Sequence, residues 1–413
     1  MQWALRKIKV CPPTGLSSAK VSTHDFPARL PPAFPYTPRL RVAEIRLHKL
    51  AAPFSEPFGW SLNWATQRNH TLVEVITDAG LTGWGDGGSY DELRRHPELV
   101  LGRSPFEMEA IFEELRTPPY LQSRPGPQWS GGLDVALWDI AGQALGVPVS
   151  QLLGRRYRDR IEPYCTALYR KNWPNLEEGL AEEALGWKAL GFRTLKMKVG
   201  FGPDTGVSIV AAVRAAIGDM GLAVDANCAY DASTALALGR RLEAFNLRWW
   251  EEPLLADDLA GYARLKSQLA IPLASGETLP LDRLITDYIQ PRLVDILQPE
   301  IEYVGLTGGR RLSHLCWLNH LRLIPHNWGT AIRTAAILHW MSTVPPVTEA
   351  IATPPPLFEL DCTENPIRNA IVRHPFRVDP VDGCIPVPTG PGLGIEVIPE
   401  AVREFSVETI TLR

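Results

Sequence analysis

The sequence has 413 residues, of which 45% are hydrophobic and 21% are charged, and these proportions are typical of a folded globular protein with two or three domains. The 42 lysines and arginines are outnumbered by 46 aspartates and glutamates, which gives a net charge of −4. Proteins that coat nucleic acid or anionic lipid are normally basic, so we expect neither partner. The sequence also lacks a run of about 18 apolar residues, so we expect no membrane-spanning helix.

The cysteines indicate a reducing environment. Six are spread over the chain without a C-x-x-C pair, which argues against a disulfide scaffold or a cysteine zinc site. The first residues include basic side chains but no apolar block of a secretory signal. We therefore expect a cytoplasmic protein.

Residues 1–40 differ in composition from the rest of the chain. They contain clustered prolines and show little apolar periodicity. We interpret this segment as a flexible N-terminal leader, with a lid or an oligomer arm as the alternative.

Residues 41–155 are expected to form an α+β domain. Alternation of apolar and polar residues predicts strands over 41–47, 69–77 and 81–84. Apolar residues at helical spacing predict helices over 105–115 and 132–145. These strands read as an antiparallel meander.

Residues 156–384 alternate between short apolar runs and helical segments, which is typical of βα units in a parallel sheet. There are enough units to close an eight-stranded barrel. The apolar runs cover 194–199, 222–226, 247–250, 271–274, 294–297 and 321–324, and the helical segments include 206–217, 233–245 and 259–268. Residues 385–413, with a strand-like stretch at 395–398, look like a segment that returns to the first domain.

Polar residues follow the apolar runs at regular intervals. Positions 198, 225, 251, 277, 300 and 326 lie 27, 26, 26, 23 and 26 residues apart. A βα unit of a barrel has about 25–30 residues, so each of these positions falls at the end of a strand. The six side chains should therefore meet around one rim of the barrel.

Three of these side chains form a candidate metal site. Asp225, Glu251 and Glu277 are carboxylates whose pKa values would rise strongly at close range unless a cation were present. Oxygen ligands alone favour Mg²⁺, with Mn²⁺ as an alternative. In the alternative interpretation, the acids are rim residues paired with arginine or lysine. Glu252 follows Glu251 and points to the other side of the strand, so we assign the ligand to Glu251.

Two lysines and an asparagine are expected on the same faces of their strands as the candidate metal ligands. Lys196 and Lys198 are two residues apart on one strand, so both face the barrel interior. A buried lysine beside another ammonium has a lowered pKa and can act as a base, which we favour for Lys198. Lys196 could instead only neutralise the carboxylates. Asn227 shares a face with Asp225 and is a candidate for orienting it and for binding substrate.

His326 would lie on the opposite side of the barrel mouth. Glu300, one strand earlier, is placed to hold the imidazole ring and raise its basicity. The two residues would then form a second acid/base group facing Lys198.

Several motifs in this order resemble the enolase superfamily, specifically the mandelate racemase subgroup. The matching segments are 83–86 (GWGD), 136–142 (ALWDIAG), 151–154 (QLLG), 196–198 (KMK), 224–227 (VDAN), 251–253 (EEP), 275–277 (SGE) and 391–394 (PGLG). The resemblance implies a modified (β/α)₇β barrel under an α+β capping domain. It also implies that Asp225, Glu251 and Glu277 bind Mg²⁺.

The resemblance further implies roles for individual residues. Lys198 and His326 take the places of the two bases, and Lys196 that of a contact to the substrate carboxylate. Glu359 falls near the acid that hydrogen-bonds the enolate oxygen. The chain departs from the pattern at Glu300, where the subgroup usually has aspartate.

We expect Mg²⁺-dependent abstraction of the proton α to the carboxylate of a sugar acid, followed by loss of water, as in an acid-sugar dehydratase. The alternatives are a cycloisomerase of a lactone or anhydro sugar acid, a racemase or epimerase of a 2-hydroxy acid, and a non-catalytic metal-binding barrel. A loop near Phe58 with Trp60, Asn63 and Trp64 is the expected specificity element. The resemblance also predicts a homo-oligomer.

Overall fold

The computed structural model describes residues 40–61, 63–116, 130–346 and 356–413. The predicted leader lies outside the described residues except for its last position, Leu40. None of the described helices is both long enough and apolar enough to cross a bilayer.

The strands fall into two sheets. They are β1 (Val42–Trp60), β2 (Asn63–Thr77), β3 (Thr82–Asp86), β4 (Arg160–Thr166), β5 (Thr194–Lys198), β6 (Gly221–Asp225), β7 (Trp250–Glu251), β8 (Leu273–Ser275), β9 (Ile296–Leu297), β10 (Arg322–Leu323), β11 (Leu357–Asp361), β12 (Ile385–Pro386) and β13 (Ser406–Leu412).

The α-helices are numbered in the same way. They are α1 (Asp91–Arg95), α2 (Met108–Arg116), α3 (Gly131–Leu145), α4 (Val149–Leu153), α5 (Leu176–Ala189), α6 (Pro203–Ile217), α7 (Ala232–Leu242), α8 (Leu259–Gln268), α9 (Leu281–Arg283), α10 (Ile301–Leu318), α11 (Ala331–Ser342), α12 (Pro366–Ala370) and α13 (Pro399–Phe405). Three short 3₁₀ turns and a π-helical segment, Leu284–Ile289, complete the described helical structure.

The antiparallel sheet has the strand order β13-β1-β2-β3 and forms the capping domain together with the first helices. β1 and β2 form a long hairpin whose register runs from Val42 opposite Thr77 to Trp60 opposite Asn63. β3 packs on α3 so closely that a Cβ atom at Gly83 or Gly85 would lie 2.2 or 1.7 Å from a carbonyl oxygen of that helix. The two glycines in the 83–86 motif are therefore required by packing.

The second sheet contains eight parallel strands, β4 to β11, in the order β10-β9-β8-β7-β6-β5-β4-β11. A helical segment follows each of the first seven strands, so the predicted modified (β/α)₇β barrel with a capping domain is confirmed. The ladder sets Lys198 beside Asp225 and Asp225 beside Glu251. Side chains at equivalent ends of neighbouring strands therefore face the same mouth, as in other barrels of this kind.

Hydrogen bonds from Asn327 join the segment after β10 to β11 at the site. Asn327 donates from its backbone amide to Glu359 Oε2 at 2.8 Å and from its side-chain amide to the Glu359 carbonyl at 3.0 Å. The inside of the barrel is filled by an apolar cluster, so it is a packed core rather than a pore. Its members are Tyr164, Ala223, Trp249, Ala274, Ile296, Ile324 and Leu357.

The returning C-terminal strand differs from its predicted position. Residues 395–398 form only an isolated bridge at Val397, and the strand that pairs with β1 is β13. β13 is an edge strand with mostly exposed side chains, so it lacks the alternation of apolar and polar residues that marks a half-buried strand.

Candidate active site

Three carboxylates converge at the mouth of the barrel. Asp225 and Glu251 end β6 and β7, and Glu277 follows β8 after Gly276, whose φ of 129° favours glycine. One carboxylate oxygen from each residue lies within 4.8 Å of the others. The structure therefore brings the three predicted metal ligands together.

The chemistry of this cluster fits a hard divalent cation. All three donors are oxygens, and Glu277 Oε2 is buried with no hydrogen-bond partner among the described residues. The pKa of Glu251 is raised to about 8, because burial and the nearby carboxylates of Asp225 and Glu277 outweigh the ammonium of Lys196. A bound cation would remove this repulsion.

Two residues that sequence reasoning missed hold Glu251 in place. Gln298 Nε2 and Trp249 Nε1 donate to Glu251 Oε2 at 2.7 and 3.1 Å. Trp249 is two residues before Glu251, and Gln298 is two residues before Glu300, so each shares a face with a predicted site residue. This period of two is the signal that would have found them.

Glu252 points away from the cluster, as the alternation of side chains predicts. Its carboxylate is buried beside Cys228, whose Sγ lies 3.4 Å from Glu252 Oε2. Asn227, by contrast, contacts two of the predicted ligands. Its backbone amide donates to Asp225 Oδ1 at 2.8 Å, and its side chain reaches Glu277 Oε1 at 3.5 Å.

Lys196 lies at the centre of a fully buried ion-pair network. Its Nζ is 2.5 Å from Glu251 Oε1, 2.8 Å from Glu359 Oε1 and 3.6 Å from Asp225 Oδ2. Although burial disfavours the ammonium, these carboxylates raise the pKa of Lys196 well above its ordinary value. Such contacts match the alternative in which Lys196 neutralises the acids.

Lys198 faces the mouth, with Nζ 2.6 Å from Asp225 Oδ2 and 5.0 Å from the ring centre of Tyr169. The expected lowering of its pKa is wrong for this arrangement. Burial and Lys196 do favour the neutral amine, but Asp225 and Tyr169 outweigh them and raise the pKa of Lys198. The carboxylate of Asp225, at the end of the neighbouring strand, therefore outweighs the effect of the second ammonium.

His326 and Glu300 form the predicted pair, and the longer side chain of glutamate reaches the ring. His326 Nδ1 lies 2.6 Å from Glu300 Oε2. The other ring nitrogen, Nε2, lies 3.5 Å from Glu277 Oε2 and 3.9 Å from Glu359 Oε2. Burial favours the neutral ring, but these three carboxylates raise the pKa of His326 to about 10. His326 is therefore an imidazolium that faces Lys198 across the cluster.

Glu359 is part of the site, but its surroundings do not suit a proton donor. It accepts hydrogen bonds from Thr166 Oγ1 and the Asn327 amide, in addition to its contact with Lys196. Burial alone would favour the protonated acid, but Lys196 and His326 lower the pKa of Glu359 to about 2. Glu359 is thus an ionised acceptor here, rather than the donor to an enolate oxygen that the resemblance implied.

The tip of the β1–β2 hairpin brings one predicted substrate residue to the mouth. The Trp60 ring packs edge-on against Trp328 and Tyr169, at 5.4 and 6.2 Å between ring centres. Asn63 is exposed, and Trp64 is 41% exposed with its ring facing Arg170. The structure therefore joins Trp60 to the site and leaves Asn63 and Trp64 at the surface.

A barrel with three carboxylates at consecutive strand ends, flanked by lysine and histidine, is the arrangement that the resemblance to the enolase superfamily predicts. Two family models match the chain: "Mandelate racemase / muconate lactonizing enzyme, N-terminal domain" over residues 43–154 and "Enolase C-terminal domain-like" over residues 179–401. The chain belongs to the mandelate racemase and muconate lactonizing enzyme family of the enolase superfamily.

Individual relatives are similar over almost the whole described chain. Identity to the D-galactarolactone cycloisomerase of Agrobacterium fabrum is 34% over 375 residues, covering 89% of this chain and 99% of the relative. The crystal structure of the 3,6-anhydro-D-galactonate cycloisomerase from Zobellia galactanivorans matches with a TM-score of 0.78 and 32% identity, covering 89% of this chain and 100% of the other. The L-talarate/galactarate dehydratase from Salmonella typhimurium LT2, liganded with Mg and L-lyxarohydroxamate, matches with a TM-score of 0.78 and 25% identity, covering 90% and 94%.

Proposed function

We propose that the protein removes the proton α to the carboxylate of a sugar acid and then breaks the C–O bond at the β carbon, with Mg²⁺ as cofactor. The observation that carries this proposal is the carboxylate cluster placed between Lys198 and the His326–Glu300 pair. A metal site with a basic group on one side and an acidic group on the other suits this reaction.

Asp225, Glu251 and Glu277 would hold the metal ion, with Mn²⁺ as an alternative to Mg²⁺. When bound, the ion would supply Lewis acidity to the oxygens of the substrate carboxylate, whose charge rises as the α-proton leaves. Lys196 would add a fixed positive charge beneath the same oxygens, since it is buried against Glu251 and Asp225.

Lys198 would take the α-proton. Its amine is held next to Asp225, and its pKa falls when that carboxylate shares its charge with a cation. His326 would act on the other face. Glu300 holds Nδ1, so Nε2 carries the proton that can be delivered into the cluster.

Dehydration is the first outcome that we propose. Hydroxide is a poor leaving group and needs a proton at the moment when the C–O bond breaks. His326 as an imidazolium meets this need, because the carboxylates of Glu277, Glu359 and Glu300 outweigh its burial and raise its pKa. The product would be a 2-keto-3-deoxy sugar acid.

Cycloisomerisation is the second candidate, and the comparisons favour it. The Agrobacterium and Zobellia relatives, both named as cycloisomerases, match at 34% and 32% identity over their full or nearly full length. The α-proton is removed in the same way, but the β oxygen belongs to a lactone or anhydro ring. Cleavage of the C–O bond therefore opens the ring, and no water is lost.

Product analysis separates these outcomes. We would incubate the protein and Mg²⁺ with a library of open-chain sugar acids, their lactones and anhydro sugar acids, and then identify the products by mass and NMR. Loss of water supports dehydration, and an isomeric ring-opened product supports cycloisomerisation. Inversion at the α carbon alone would indicate a racemase or epimerase. Turnover of none of these substrates would contradict the proposal and favour a non-catalytic metal-binding barrel.

A homo-oligomer, a cytoplasmic location and the domain boundaries at 155 and 384 stay predictions. Light scattering coupled to size-exclusion chromatography tests the first, fractionation of cells tests the second, and limited proteolysis tests the third.

A further inference from the structure

A chain of ion pairs runs outward from His326 to the capping sheet. Glu300 Oε2 contacts His326, and the other oxygen, Oε1, accepts from Arg333 Nη1 at 3.0 Å. Arg333 Nη2 donates to Glu302 Oε2 at 2.8 Å and to Asp86 Oδ1 at 3.2 Å. Arg333 is only 5% exposed, so these pairs lie in a medium of low dielectric constant where charged hydrogen bonds are strong.

The position of Arg333 is tied to both domains. Arg333 lies in the first turn of α11, three residues after the N-cap residue Thr330. Asp86 ends β3 of the capping sheet, and its Oδ2 accepts from the Thr330 amide at 2.6 Å. The two oxygens of Asp86 therefore hold the start of α11 and the arginine that this helix carries.

The contact with Arg333 restricts the orientation of the Glu300 carboxylate. A glutamate has one more rotatable bond than an aspartate, so fixing its carboxylate in one orientation costs more conformational entropy. The Glu302 amide donates to Glu300 Oε1 at 3.1 Å, but among the described residues only Arg333 approaches that oxygen with a positive charge and a rigid planar donor group. The arginine therefore compensates for the longer side chain.

We propose that Arg333 is a positioning residue that holds Glu300 in the orientation facing His326, and that Asp86 holds Arg333 in turn. The geometric part concerns the Glu300–His326 hydrogen bond in the free protein. The catalytic part, that this hydrogen bond supports turnover, rests on the function proposed above.

A spectroscopic test needs no substrate. In protein with ¹⁵N-labelled histidine, the Nδ1 proton of His326 should give a strongly downfield signal, because it is shared with Glu300 over 2.6 Å. We expect Glu300→Gln and Arg333→Met to abolish or greatly weaken this signal and Arg333→Lys to retain part of it. Arg310→Met is the matched control, since Arg310 pairs with Glu109 outside this chain of contacts, and we expect the signal to remain.

Kinetics provide the second test. We expect Arg333→Met to lower kcat about 10–100-fold with little change in KM, by analogy with the partners that orient metal-ligating histidines. In the Glu300→Gln background the same substitution should cost almost nothing, because Arg333 acts through Glu300. Arg333→Lys should recover part of kcat.

The outcomes are distinguishable. If Arg333→Met keeps the downfield proton, or loses the same factor of kcat with and without Glu300, the proposal is overturned. If Arg333→Met does not fold, Arg333→Lys and Asp86→Asn decide, and unchanged signals in both would overturn it. If the protein turns over no sugar acid, the proposed function fails while the spectroscopic test still decides the positioning role.

Discussion

The residues at the barrel mouth carry opposite charges and have mostly buried side chains. Lys196 is the clearest case, because its ammonium contacts Glu251 and Glu359 within 2.8 Å and its side chain has no exposed surface. Buried charges of this kind are tolerated only in pairs, so removal of one partner leaves the others uncompensated. The network therefore fixes the carboxylates in place before any ligand arrives.

Lys196→Met should destabilise the protein strongly. We expect the free energy of unfolding in urea to fall by about 3–5 kcal/mol, because the carboxylates facing Lys196 lose their buried cation. Addition of Mg²⁺ should restore part of the loss, since the cation offsets the same negative charge.

Lys266→Met is the matched control for this measurement. Lys266 also contacts an acid, Asp295, at 2.7 Å, but both side chains are about one-third exposed. Its removal should change the free energy of unfolding by less than about 1 kcal/mol. If the two substitutions lowered the free energy of unfolding equally, burial of the Lys196 network would not account for the effect.

At the scale of elements, an acidic side chain is one of several contacts that fasten the β1–β2 hairpin to the barrel. Both carboxylate oxygens of Glu364 lie 2.9 Å from the Ser55 amide, and one accepts from Ser55 Oγ at 2.8 Å. Glu364 belongs to the segment after β11, whereas Ser55 lies near the tip of the hairpin that carries Trp60. The contact therefore joins the hairpin tip to the mouth of the barrel.

Glu364→Ala should loosen the hairpin tip. We expect KM to rise about 3–10-fold with kcat nearly unchanged, because about 1 kcal/mol of hydrogen bonding that holds the tip is lost. Amide hydrogen exchange of the hairpin should become faster.

Glu56→Ala removes a neighbouring exposed carboxylate from the same hairpin and should leave both quantities as they are. If the two variants behave alike, the Glu364 contact does not control the hairpin.

The strand ends were predictable from the sequence, and several other features were not. Asp225, Glu251 and Glu277 could be located by their intervals, because each parallel strand of a barrel brings one side chain to the same rim. Arg333 could not be found in this way, since it lies in a helix. The mostly exposed strand β13 shows no regular alternation of apolar and polar residues, and the charge state of Glu359 depends on neighbours from two other strands and a loop.

For the whole molecule, metal binding should depend on pH through Glu251. Its pKa is raised from 4.5 to about 8, so the folded, metal-free protein keeps a proton between these values that the unfolded chain has released. This proton stabilises the metal-free fold at the acidic end of the window, and the stabilisation is lost as the pH rises towards 8.

Mg²⁺ must displace the same proton. We therefore expect its affinity to rise by up to about tenfold per pH unit below 8 and to level off above that value. Calorimetry in buffers with different heats of ionisation would measure the released proton. In Glu251→Gln this pH dependence should disappear, and a pH-independent affinity in the natural protein would contradict the assignment.

Hydrogen exchange at the substrate tests most directly whether the carboxylate cluster and its two flanking groups act as one catalytic unit. The experiment incubates a substrate found in the library screen with the protein and Mg²⁺ in D₂O, and follows deuterium at the α carbon by NMR. We predict incorporation or turnover with the natural protein, and a loss of at least about 10²-fold in Lys198→Met, which retains metal binding. Exchange at the natural rate in Lys198→Met would contradict the account.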